Sequence, residues 1–183
     1  MVKISGGNIL INSEEVFKHL KLTAGMKVAD LGCGNLGHFV LPAAKLVGKE
    51  GLVYAVDILK TALKSVNNLA VAEGLENVIT VWSDLEKVGA TRIDPASIDV
   101  AVLKNVLFQS TNQEAMFKEA ARLLKLGGHL LVLDWKMSGA PFGPKVSQRI
   151  SPEKVKQLAE VNGLKLTDEF SAGEYHYGII FIK

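Results

Sequence analysis

The chain has 183 residues, 48% of them hydrophobic and 22% charged, with a formal net charge of +2 from 21 basic and 19 acidic side chains. That balance excludes a disordered chain and leaves no overall positive field of the kind a nucleic-acid binder carries. A single cysteine excludes an intramolecular disulfide and a cysteine-based metal cluster, no apolar run approaches the roughly 20 residues of a membrane span, and residues 1–12 lack the layout of a signal peptide. The expectation is a cytoplasmic protein built as a single domain over 1–183.

Residues 1–21 read as a lead-in and a helix, with Asn12 three residues before Glu15 as a capping pair. Residues 27–31 form the first short apolar run, which leads into Gly32, Gly34 and Gly37 and then a helix starting near His38. A second run, 52–56, ends at Asp57. The helix predicted over 58–73 carries Leu59, Leu63, Val66, Leu69 and Ala70 on one stripe, with Gly74 as its left-handed cap. A third run at 78–82 is followed by 83–97, which reads as loop with at most a short helix, and a fourth lies at 98–103. The helix over 112–125 presents Ala115, Met116, Phe117, Ala120 and Leu123, and Gly127 and Gly128 are expected to cap it before a fifth run at 129–135. Runs of this kind fit strands buried on both faces of a parallel sheet.

The C-terminal part differs. Residues 137–150, with Gly139, Pro141, Gly143 and Pro144, form a long irregular segment, and such loops are usually functional. A helix over 151–161 has Ser151 as cap and Pro152 in its first position. Strands at 164–172 and 177–183 are joined by four residues, which requires an antiparallel hairpin. The fold class is α/β: a doubly wound, Rossmann-like sheet of seven strands, mostly parallel, with an antiparallel C-terminal hairpin.

The chemistry concentrates at Asp30-Leu31-Gly32-Cys33-Gly34-Asn35-Leu36-Gly37. Glycine lets the backbone turn sharply and lets a ligand approach without a Cβ in the way. Asp57 stands 20 residues beyond Gly37, at a strand end where a carboxylate can accept both ribose hydroxyls of an adenosine. Both dinucleotides and S-adenosylmethionine use such a crevice, and composition and spacing do not choose between them.

With these segments the chain resembles the class I S-adenosylmethionine-dependent methyltransferases, and among them the small members related to ubiquinone/menaquinone-biosynthesis methyltransferases. Residues 28–34 are similar to the family's first motif, in which an acidic residue precedes the glycines. Residues 53–57, 82–85, 99–105 and 124–132 resemble the following motifs in order, and 175–181 resemble the last strands. The resemblance implies that Gly32, Cys33, Gly34 and Gly37 pass close to the methionine moiety and that Asp30 orients this loop or meets the ammonium. It implies that Asp57 holds the ribose, that Ile58 lies against the adenine, and that Asp84 and the Leu85 N–H contact the adenine edge. The backbone around Lys104 and Asn105 would face the methionine end. The implied cofactor is S-adenosyl-L-methionine, with S-adenosyl-L-homocysteine as product, and the implied partner is a small-molecule methyl acceptor.

The chain departs from the family pattern where Asn35 and Leu36 lengthen the glycine loop by one residue, and where Leu126 replaces the usual proline. Lys104-Asn105-Val106-Leu107-Phe108 does not resemble the sequence of amino-group base methylases, and one cysteine argues against a thiol-dependent arsenic methylase. Methyl transfer requires a general base only if the acceptor must lose a proton. Asp134, Asn105 and His176 are the candidates, Asp134 because it ends the fifth strand. Phe108, Trp135, Phe142 and Tyr175 are candidate walls for an acceptor pocket, 137–150 its candidate cover, and Lys136, Lys145 and Arg149 a candidate positive rim. The four histidines lack metal-ligand spacing, so no metal is expected. Two other readings share the adenosine site: an NAD(P)-dependent oxidoreductase, and a non-catalytic S-adenosylmethionine-binding protein.

Overall fold

A computed structural model of the chain describes residues 11–138 and 140–183; the lead-in expected before residue 11 lies outside them. The Asn12 side chain accepts the N–H groups of Glu14 and Glu15 and so starts α1 (Ser13–Leu20). Then follow β1 (Lys27–Leu31), α2 (Val40–Val47), β2 (Leu52–Asp57), α3 (Lys60–Ala72), β3 (Val78–Trp82), β4 (Ile98–Lys104), α4 (Gln113–Leu123), β5 (Leu124–Trp135), α5 (Pro152–Val161), β6 (Lys165–Ser171) and β7 (His176–Ile182). Short 3-10 turns occupy Leu107–Gln109 and Val146–Gln148.

The strands form one sheet in the order β3-β2-β1-β4-β5-β7-β6. β1 to β5 pair in parallel, and β7 runs antiparallel to both β5 and β6, as the short 172–175 connection requires. Alternate residues feed two cores. Ala29, Leu31, Ala101, Leu103, Leu130 and Val132 pack with Met116 and Phe117 of α4 and Val155 and Leu158 of α5. Val28, Val53, Ala55, Val100, Val102 and Leu131 pack with Phe17 of α1, Val40 of α2 and Val66 of α3. Both faces of the central strands are thus covered, which is why these strands read as continuous apolar runs. The chain order reverses between β1 and β4, and the crevice beyond their carboxyl ends is where open α/β sheets hold ligands.

Three local expectations are corrected. The helix after the glycine loop begins at Val40, because Gly37 holds a positive φ of 60° that a helix cannot continue through. Gly127 and Gly128 do not cap α4, which ends at Leu123; they lie inside β5, where the Gly127 N–H donates to the Lys183 carbonyl. A Cβ on Gly128 would stand 2.9 Å from the Lys125 carbonyl oxygen and 3.0 Å from that of Ile98, so the close approach of backbone explains this glycine. The α3 helix starts at Lys60, two residues later than its apolar stripe suggested, because Asp57 turns the chain first. Among the described residues, no helix is long and apolar enough to cross a membrane.

Candidate functional site

The glycine loop is hooked onto the neighbouring strand: the N–H groups of Gly32 and Cys33 both donate to the Val56 carbonyl. Gly32 has a φ of 89°, and a Cβ there would stand 2.7 Å from a Val106 methyl, so a side chain would push Val106 into the crevice. Gly34 also has a positive φ, 65°, but a Cβ there would meet nothing within 4 Å. One glycine therefore serves packing and the other leaves open space for a ligand.

Asp57 ties this loop to the next helix. Its Oδ2 accepts the Gly34 N–H at 2.9 Å and its Oδ1 accepts the Leu59 N–H at 2.8 Å. A carboxylate has about four acceptor positions, so two remain for a ligand's hydroxyls. The carboxylate lines a cleft of about 370 Å³ together with Gly32, Gly34, Ile58, Asp84 and Leu85. Ile58 is 54% exposed beside it, held by a bond from the Trp82 indole N–H to the Ile58 carbonyl. Asp84 accepts the Glu86 N–H and faces Lys87.

Six of the residues expected to hold a cofactor are therefore together in one cleft, and five are not in its wall. Asp30 lies buried behind the loop with both carboxylate oxygens unpartnered among the described residues. Burial pushes its pKa up to about 6, the positive Lys104 pulling it down and Asp57 pushing it further up. Lys104 is buried beside the Phe39 ring, and desolvation lowers its pKa. Cys33 packs into the core under α2, and burial raises its thiol well above the usual range. Gly37 turns the chain towards α2, and Asn105, the residue after β4, has a left-handed conformation, φ 52°.

Sequence reasoning missed the far wall, formed by Ser83, Glu86, Val106, Gln109, Ser110 and Met116. Glu86 closes it, accepting from the Ser110 hydroxyl at 2.8 Å, the Thr111 hydroxyl at 2.7 Å and the Thr111 N–H. The contact spans the loops after β3 and β4, and such non-local pairs leave no periodic mark in a sequence.

Of the rings expected to wall an acceptor pocket, Trp135, Phe142 and Tyr175 meet edge to face, with ring centroids 6.1 Å and 5.0 Å apart. The candidate positive rim is corrected. Arg149 is buried over the Trp135 ring and donates to the carbonyls of Pro144, Lys136 and Ser138, which fastens the 137–150 loop. The Lys136 ammonium binds the Ser171 hydroxyl and the carbonyls of Gly173 and Glu174, so of the three cations only Lys145 stands in solvent. Asp134 is fully buried on the opposite side of β5 from Trp135. It accepts the Trp135 N–H, and burial raises its pKa to about 7. His176 is also fully buried, beside Trp135 and Asn105. Among the described residues, no group of three or more His, Cys, Asp or Glu side chains is placed to hold a metal.

A family model described as a methyltransferase domain matches residues 22–176. A ubiquinone/menaquinone biosynthesis C-methyltransferase of Chromobacterium violaceum is 33% identical over 135 residues, which are 70% of this chain and 53% of that protein. An arsenite methyltransferase of Aquipseudomonas alcaligenes is 33% identical over 117 residues, 62% of this chain and 34% of that protein. The chain thus spans about half the length, or less, of these curated relatives. A SAM-dependent methyltransferase from Aquifex aeolicus superposes with a TM-score of 0.86 at 25% identity, covering 94% of this chain and 90% of that one. The [4+2]-cyclase SpnF shares the fold alone, with a TM-score of 0.79 at 14% identity over 93% of this chain and 79% of that one. The glycine loop, the Asp57 strand end, the strand order and the matched family model agree: the chain belongs to the methyltransferase-domain family, with the seven-stranded architecture of its S-adenosylmethionine-dependent members.

Proposed function

We propose that this chain binds S-adenosylmethionine in the cleft beside Asp57 and transfers its methyl group to a small-molecule acceptor. The observation that carries the reading is the Asp57 carboxylate, held by the Gly34 and Leu59 N–H groups at the rim of the crevice between β1 and β4. The residues present suit that cofactor. Open space at Gly34 admits it, Asp57 keeps two acceptor positions for ribose hydroxyls, and the buried, unpartnered Asp30 offers a carboxylate behind the loop for a positive group. Ile58 would flank the adenine, and Asp84 with the Leu85 N–H would meet its edge. Gly32, Cys33, Gly37 and the backbone at Lys104 and Asn105 would shape the methionine end.

When bound, the cofactor's sulfonium supplies an electrophilic methyl group. The chain's own residues must align the acceptor and keep water out, and alignment of this kind accounts for about 7–11 kcal/mol of a barrier. The Glu86 strap across the far wall and the Arg149-fastened loop hold the two ends of the site in place. The relatives include a C-methyltransferase of ubiquinone/menaquinone biosynthesis and a methyltransferase of arsenite. With only one cysteine, itself buried, this chain lacks the several thiolates that would coordinate arsenic, which speaks against arsenite as its acceptor.

Calorimetry with S-adenosylmethionine, S-adenosylhomocysteine and NAD tests the reading. Heat with both sulfur compounds and none with NAD is expected; heat with NAD alone overturns it.

A further inference from the structure

The sheet ends on β3 at one side and on β6 at the other, and the two edges are built differently. β6 carries Lys165, Asp168 and Glu169, with Asp168 ion-paired to His19 of α1 and Glu169 to Lys156 of α5. Charges and covering side chains of this kind keep a strand edge from pairing with another chain. β3 lacks them: residues 77–83 include no charged side chain, and Ile79 and Trp82 are 44% and 55% exposed. A cleft of about 490 Å³, lined by Thr80, Val81 and Trp82 and by Lys87 and Arg92 of the following loop, adjoins the strand.

The backbone of β3 alternates. The Val53 N–H donates to the Asn77 carbonyl, and the Ser83 N–H donates to the Asp57 carbonyl. Residues 77, 79, 81 and 83 therefore turn their N–H and C=O groups to β2. Val78, Thr80 and Trp82 turn theirs outward, where no strand meets them among the described residues. Directly opposed residues of an antiparallel pair can exchange both of their bonds. When a second β3 lies antiparallel with Thr80 opposite Thr80, Val78 falls opposite Trp82, and every outward group of each strand is bonded. The side chains match in the same register. Threonine faces threonine and valine faces tryptophan, pairs that favour neighbouring strands, and Ile79 faces Val81 on the other side of the sheet. Charge is complementary as well. Glu76 lies just before the strand, whereas Lys60 stands over the Trp82 ring and Lys87 follows the strand's end, so each copy brings its acidic end to the other's basic end. Asp84, also at that end, is paired with Lys87.

We propose that β3 is an interface at which two copies of the chain pair antiparallel about a two-fold axis at Thr80 and join their sheets. Such an interface is self-complementary, as a two-fold dimer requires. A foreign segment would also find the backbone groups, but the match of register, side chains and charge belongs to a second copy. Pairing over five residues buries less than a permanent dimer needs, so the association is weak and reversible. It does not depend on what occupies the cleft beside Asp57.

Sedimentation velocity of the full chain, from about 10 μM to about 1 mM protein, should show a monomer passing reversibly into a dimer. The fluorescence of Trp82 should shift to the blue over the same range, while Trp135, the other tryptophan, is buried in either state. Thr80→Lys sets two positive charges against each other at the axis, and Thr80→Glu sets two negative ones. Each should weaken the dimer about ten-fold or more, and an equimolar mixture of the two variants should restore it. Thr80→Pro removes an outward N–H that β2 does not use, and it too should leave a monomer. Circular dichroism checks that each variant is folded; if Thr80→Pro is not, the charge pair and the Trp82 shift of the parent chain decide. A chain that stays monomeric throughout, or that forms species larger than a dimer instead, overturns the proposal. So does a dimer that the Thr80 variants leave intact, or one that both charge variants lose and their mixture does not regain.

Discussion

Asp57 does two jobs with one carboxylate. It shapes the glycine loop through Gly34 and the start of α3 through Leu59, and it keeps acceptor positions at the cleft. Asp57→Ala removes charge-assisted hydrogen bonds, each worth about 1.5–3 kcal/mol. S-adenosylmethionine affinity should fall by about 10- to 150-fold. The melting temperature should fall as well, because two backbone donors lose their partner; calorimetry and thermal melting read the two effects separately. An unchanged affinity would remove Asp57 from the site. Asp57 was legible because a short spacing from the glycines along one strand-helix-strand unit fixes it in space. Glu86 was not, because its partners Ser110 and Thr111 arrive on another loop through the order of the sheet. The unpartnered atoms of Asn105 and His176 were equally hidden, 71 residues apart in the chain.

At the scale of elements, the stripe of α4 predicted its core face correctly, since Met116, Phe117, Ala120 and Leu123 are all buried. It gave no sign of Glu119, a fully buried charge on the same helix. That carboxylate accepts the N–H groups of Gly89 and Thr91 and two bonds from the Arg122 guanidinium. Burial alone would raise its pKa, but Arg122 and the loop N–H groups outweigh that and hold it at about 2. The guanidinium also donates to the Thr91 carbonyl. The helix thus anchors the loop after β3, which carries Asp84, Leu85 and Glu86 into the cleft. The irregular character of 83–97 was legible; what holds it still was not, because a glutamate on a helix ordinarily reads as solvated. Glu119→Gln leaves Arg122 without its counter-charge, and breaking such a pair costs about 3 kcal/mol or more. Urea unfolding should show that loss, and amide exchange at Gly89 and Thr91 should accelerate more than in the β1 strand. Exchange that rises equally everywhere would mean that Glu119 supports the fold without holding this loop.

Over the whole molecule, the sheet was legible because alternating strands and helices with right-handed crossovers admit few orders. The two cores follow from it, since every strand between β2 and β5 is covered on both faces. What the order could not show is the set of ionisable groups that the sheet buries, and these govern how stability responds to pH. Asp30 and Asp134 have folded pKa values near 6 and 7 against an ordinary 3.8, both raised by burial. Between those limits the native state binds more protons than the unfolded chain, so both carboxyls favour folding fully below pH 3.8, and that contribution is lost as pH rises through 6 and 7. His176 acts oppositely: its pKa drops from 6.5 to about 4, so its contribution to stability is gained as pH rises across that interval and lost as pH falls through it. Around neutrality the carboxyl at Asp134 is the last of the three to titrate. A tenfold change in proton affinity is worth about 1.4 kcal/mol, so Asp134 alone penalises the native state by a few kcal/mol once ionised. Asp134→Asn keeps an oxygen for the Trp135 N–H and cannot ionise. The variant should therefore gain on the parent protein in melting temperature from about pH 4 to pH 7, with the difference level above about pH 8. Melting curves across that range decide it, and a difference that does not change with pH would show that Asp134 is already paired or solvated in the folded chain.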